Sequence, residues 1–309
     1  MGGTALIATK GAGLHIYGNL IHTLGHTGMR VGGGDRRSLT SGRITIENND
    51  VGFFGRHART YNPALLLEGC GARVAHNHFH DAPSSAMRIE GNDHLITFNH
   101  VERVVQESDD QGGIDMWCNL SYRGVVIRYN RWNDIGGGPA PCGQAGIRFD
   151  DAISGMVVYG NRFERTSNGN FGGVQIHGGH HNIIDNNLFT DCRYGVSFSP
   201  WGQKRWTEFT KTHTDDIHKT VNIRLPPYST RYPELVHIGK HADINSIWRN
   251  TFIGVQTMLR NNPADTDLWA NHMNPAGTDE AGLTVGAAFA PLPPLGSIGC
   301  YPDSRRARE

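Results

Sequence analysis

The chain has 309 residues, and its 29 Lys plus Arg balance 29 Asp plus Glu, so the net charge is zero and the basic excess of a nucleic-acid binder is missing. No apolar run approaches the ~20 residues of a membrane-spanning helix, and the five cysteines show no Cys-x-x-Cys spacing, which speaks against a disulfide framework. Glycine is abundant, with 40 residues, and asparagine is frequent; both tolerate left-handed backbone, so many tight turns are expected.

Residues 1–17 show no basic stretch followed by an apolar one, so no signal peptide is expected. This segment already looks like the middle of a repeat, as though the chain started partway into a longer architecture. A phrase then recurs: Asn, any residue, an apolar residue, a polar one. It stands at Asn19, Asn49, Asn77, Asn99, Asn130, Asn161, Asn187 and Asn250, and the first seven are separated by 30, 28, 22, 31, 31 and 26 residues. Each follows an alternating, β-branched run such as RITIENN or VVIRYN, the signature of a strand. The period is too short for a propeller blade and fits one coil of a parallel β-helix.

A second strand aligns in every coil: ALLLEG (64–69), AMRIEG (86–91), GIDMWC (113–118), GIRFDD (146–151), GVQIHG (173–178) and GVSFSP (195–200). The inward side chains include Leu65, Met87, Ile114, Ile147, Val174 and Val196, predicted to stack inside one tube. The fold class is therefore all-β, a right-handed parallel β-helix. The repeated Asn is assigned to a hydrogen-bonded turn rather than to chemistry. Residues 201–242 read as an insertion. Coils are expected over 1–262, and 263–309 as a Pro-rich tail packing along the solenoid. The first coil has no obvious polar cap, so end-to-end dimerisation, binding of a missing segment or a tendency to aggregate is expected.

The even positions of the second strand point outward in two columns. One reads Leu66, Arg88, Asp115, Arg148, Gln175, Ser197, and the other Glu68, Glu90, Trp117, Asp150, His177, Ser199. A solvated sheet face is the plain alternative, but the columns hold no Lys and little Ser or Thr. Extra loops at 56–63, 105–112, 136–143 and 167–172 flank them, as loops do where sites are built. Two double acids, Asp109-Asp110 and Asp150-Asp151, bracket strands of adjacent coils, ~5–10 Å apart by the stacking distance. That range covers both glycosidase geometries and also a Ca²⁺ site. Asp110 and Asp150 are the first choice for catalysis, with Asp109 and Asp151 (and Asp115) behind them. Glu68, Arg88, Glu90, Asp115, Trp117, Arg148 and His177 would bind substrate. A zinc site at His76, His78 and His80 is not expected, because the next coil offers Phe98, His100 and Glu102 and builds no ligand column.

The stretches GGDRRSLTSG (33–42), RTYNPALLLEGCGARVAHNHFHDAP (59–83), GNDHLITFNHVERVVQESDDQGGI (91–114) and VVIRYNRWNDIGG (125–137) resemble bacterial β-helix proteins of the pectate-lyase-like superfamily. PPYSTRYPEL (226–235) and FAPLPPLGSIGCYPD (289–303) resemble further segments of the same family. The nearest enzymes by resemblance are β-helical glycoside hydrolases that include α-L-fucosidases and xylanases. The resemblance implies a catalytic aspartate pair on adjacent coils, matching Asp109-Asp110 and Asp150-Asp151, and an extracellular or periplasmic location. Ile114 to Trp117 stand where such relatives carry a smaller, less charged stretch, so substrate preference is expected to differ.

The expected function is therefore a glycoside hydrolase acting on a plant or algal polysaccharide or oligosaccharide, without cofactor, nucleic acid or membrane. The first alternative is a lyase on uronic-acid chains, with Arg88, Arg148 and His177 serving β-elimination and Ca²⁺ on the aspartates. The second is a non-catalytic carbohydrate-binding solenoid.

Overall fold

The computed structural model describes residues 2–240, 244–279 and 289–305. Among these, the strands form three sheets of ten, nine and nine strands that wind as a right-handed parallel β-helix. Each coil gives one strand to each sheet. Neighbours in a sheet are parallel, except that Ser167–Gly169 runs antiparallel to Gly143–Asp150.

The register follows from alternation, because only one face of each strand can enter the tube. Leu65 lies opposite Met87, Met87 opposite Ile114, Ile114 opposite Ile147, Ile147 opposite Val174, and Val174 opposite Val196. All six are wholly buried, as expected. The third sheet adds an aromatic stack, with Phe163 parallel to Phe189 at 4.7 Å and Phe189 to Phe252 at 5.0 Å.

The recurrent asparagines form a ladder between the second and third sheets. Asn99 Nδ2 donates to Asn130 Oδ1 at 3.0 Å, and Asn130 Nδ2 to Asn161 Oδ1 at 2.9 Å. The Asn99 and Asn130 backbone N–H groups donate to the same two oxygens. The second amide hydrogen of Asn130 reaches the carbonyls of Ile96 and Arg128. The side chain is thus fully bonded at a buried corner, which is why Asn recurs there.

The residue before each ladder Asn has a positive φ, including Phe98 at 56° and Tyr129 at 58°. Composition suggested Gly and Asn for such turns, yet bulky residues hold several of them. A left-handed residue costs ~1–2 kcal/mol, and the ladder bonds offset it.

Within 201–242 the chain forms helices Gln203–Thr212, Thr214–His218 and Tyr228–Arg231. Trp201, Trp206, Ile217, Tyr228 and Leu235 pack with Leu120 and Ala152 into a second apolar cluster. The insertion is therefore fixed to the side of the solenoid. The coil stack continues beyond residue 262, where the sequence reading ended it, through Asp267–Trp269 and His272–Asn274. The C-terminal segment bonds to corners of three coils: Ala290 with Asn186, Gly299 with Phe98 and Tyr301 with Asn48.

Candidate functional site

The first sheet carries the two outward columns in the register that alternation demands. Arg88 lies opposite Asp115, Asp115 opposite Arg148, and Arg148 opposite Gln175. Beside them Trp117 lies opposite Asp150. Asp110 enters the Gln111–Trp117 strand from a left-handed backbone, φ 57°, which aspartate tolerates better than most residues.

Arg148 is the hub. Its Nη2 donates to Asp110 Oδ1 and lies beside Asp150 Oδ2, both at 2.8 Å, while Nη1 donates to Asp115 Oδ1 at 3.2 Å. His177 Nδ1 stands 2.7 Å from Asp150 Oδ1. Trp117 Nε1 donates to Asp151 Oδ2 at 3.1 Å, and the Arg88 guanidinium lies over the Trp117 ring. Asp115, Arg148 and Asp150 are buried, whereas the Asp110 side chain is 46% exposed.

These surroundings separate the acids. Burial raises Asp115 to about 6, against the pull of Arg148. Burial also raises Asp110, against the Arg148 charge and assisted by that of Asp150. At Asp150 burial again opposes ionisation, but the His177 hydrogen bond and the Arg148 charge outweigh it and hold the carboxyl below the ordinary aspartate range. One carboxyl that holds its proton more tightly than usual beside one that holds it less tightly is the arrangement acid–base chemistry needs.

A cleft of about 490 Å³ opens over the group, lined by Tyr61, Arg88, Asp110, Asp115, Trp117, Arg148, Asp150 and Asp151. A second, of about 440 Å³, shares Asp110 and Arg148 and runs on past Phe171 and His177 to Arg260. Together they make a groove along the coil axis. The insertion walls one side, where Trp201 meets the His177 ring edge-on at 5.3 Å.

The structure thus gathers Asp110, Asp115, Trp117, Arg148, Asp150, Asp151, His177 and Arg88. It places three expected residues elsewhere. Asp109 accepts the backbone N–H groups of Cys142 and Gly143, so it ties down the 136–143 loop and lines neither cleft. Glu68 is bonded to Arg30, and Glu90 to Arg88, outside the cleft lining. Tyr61, Phe171 and Arg260 were missed. The first two come from loops and the last from a coil after the insertion, where the repeat gives no alignment. The histidine reading is also corrected. A column does form, because His78 and His80 meet Asp50 and His22 of the preceding coils.

No curated protein matches the chain in a sequence comparison. The family model described as "Right handed beta helix region" matches residues 63–220, just over half of the chain and most of the groove-bearing coils. The chain belongs to the right-handed β-helix family.

Proposed function

We propose that the chain is a glycoside hydrolase that lays a polysaccharide along the groove between Arg88 and Arg260. The family is compatible with polysaccharide-active proteins, and a groove following the coil axis suits a linear polymer. The observation that carries the reading is the shared nitrogen. Asp110 and Asp150 oxygens each lie 2.8 Å from Arg148 Nη2, so they are no more than twice that distance apart. This is below the ~6.5–9.5 Å of inverting enzymes and in keeping with the ~5–5.5 Å of retaining ones.

Asp110, raised by burial and open to the groove, gives its proton to the glycosidic oxygen as the C1–O bond breaks. Asp150, held ionised by His177 and Arg148, bonds to C1. Water then displaces the Asp150 ester, giving its proton back to Asp110. Trp117 offers a ring face to a sugar. An extracellular or periplasmic location belongs to the same proposal.

The lyase reading has one observation in its favour: Asp150, Asp151 and His177 present ligand atoms within 4.8 Å of one another. Against it, Arg88 and Arg148 are already bonded to carboxylates and are poorly disposed to take a uronate.

The test is turnover on a polysaccharide panel. Asp110→Asn and Asp150→Asn should each lower kcat by ~10²–10⁴ in a chain that still unfolds cooperatively. New unsaturated-uronate absorbance would favour the lyase. Binding without any product would favour a non-catalytic solenoid.

A further inference from the structure

On the third sheet, away from the groove, His22, Gly52 and His80 follow one another in one outward column, and Asp50 and His78 in the column beside it. Gly52 leaves a gap one coil thick between the two imidazoles. The His80 ring leans into it: a Cβ on Gly52 would stand 2.3 Å from His80 Cε1. Across the same gap His22 Nε2 and His80 Nε2 both point at one atom, Asp50 Oδ1, at 2.7 and 2.9 Å.

We propose that His22, Asp50 and His80 form a site for a divalent transition-metal ion of the zinc type. The three ligand atoms lie within 4.8 Å of one another. Two imidazole nitrogens and one carboxylate oxygen are a donor set such ions take, with positions left for water.

The surroundings support a ligand role. His80 Nδ1 stands 2.7 Å from Asp81 Oδ2, and Asp81 is held in turn by two bonds from Arg103. A neutral imidazole has a single N–H. With that N–H donated to Asp81, Nε2 faces Asp50 Oδ1 at hydrogen-bond distance, a position that a proton fills in the metal-free chain and that a metal ion takes over when the two ligand atoms move a few tenths of an ångström apart. Metal-binding histidines are commonly oriented by a carboxylate in this way. The partial burial of the side chains, 26% exposed at His22, 16% at Asp50 and 10% at His80, leaves the site reachable from solvent.

The experiment is a Zn²⁺ titration of the intact chain in competition with a chromophoric chelator, with the thermal midpoint of each metal-free variant measured alongside. The parent chain should bind one Zn²⁺ at this site. Asp81→Asn, which leaves all three ligands in place but removes the charge that orients His80, should weaken binding by ~10–100-fold. His22→Asn and Asp50→Asn should weaken it further. Gly52→Ala, whose new methyl displaces the His80 ring, should also weaken it, and its metal-free midpoint reports any cost to folding separately. Absence of Zn²⁺ binding in the parent would overturn the proposal. So would binding that survives His22→Asn, Asp50→Asn and Gly52→Ala at parental affinity, since the ion would then sit on other histidines.

Discussion

Asp115 sits at the floor of the groove, fully enclosed and touching Arg148. Burial raises its carboxyl to about 6 from an ordinary 3.8. Below 3.8 it is protonated in both folded and unfolded chains and adds no slope. Between the two values the unfolded chain releases the proton and the folded chain keeps it, so stability falls as pH rises. Asp115→Asn should flatten that falling segment, measured as urea midpoints from pH 4 to 7; an unchanged slope would show that the enclosed carboxyl is not the cause. Activity should follow the other two acids. Asp110 must stay protonated and Asp150 ionised, so kcat/KM should be bell-shaped, its alkaline limb above the ordinary aspartate value and its acid limb below it. A flat profile across that span would contradict the assignment. The outward acids were legible because side chains alternate along a strand, whatever the neighbouring coil contains. The role of Asp109 was not, since it depends on where the 136–143 loop turns back. The pairing of His22 with His80 escaped for a different reason: the histidine-rich segment was compared only with the coil that follows it, where His78 meets Glu102 and His100, whereas His80 meets Asp50 and His22 of the two coils before.

Among the elements, the Asn ladder and the Phe stack carry the solenoid. Asn130→Ala removes the acceptor of two Asn99 bonds and the donor to Ile96 and Asn161 at a buried corner. It should cost ~1–3 kcal/mol in urea unfolding without changing kcat; lost turnover at parental stability would place the residue in the chemistry instead. Phe163→Ala opens the stack between Trp132 and Phe189 and should cost ~3–5 kcal/mol. The Asn phrase was readable because a side chain that bonds its own counterpart one coil on must recur at the same place. The left-handed corners were half readable: Gly18, Asn48, Gly160 and Asn186 are the residue types expected there, and the others are not. Those others include Phe98, Tyr129 and Arg249, residues whose own preferences point away from positive φ, and the ladder beside them helps to hold them there.

At the scale of the whole molecule, three parallel sheets make a rigid wall, and the parts that interrupt the repeat turn one face of that wall into a site. The loop carrying Tyr61, the loops carrying Cys142 and Phe171, and the helical insertion with Trp201 rise around the same two columns. The repeat itself could be found from spacing alone, whereas the insertion's docking onto Leu120 and Ala152 is a tertiary contact with no period to reveal it. The central claim is that Asp110 and Asp150 hydrolyse a glycosidic bond across Arg148. The most direct test is to digest a polysaccharide panel in ¹⁸O-labelled water and weigh the products. The account predicts one labelled oxygen at each new reducing end, with no product from Asp110→Asn or Asp150→Asn. Unlabelled products carrying an unsaturated uronate, or labelled products formed equally well by both variants, would contradict it.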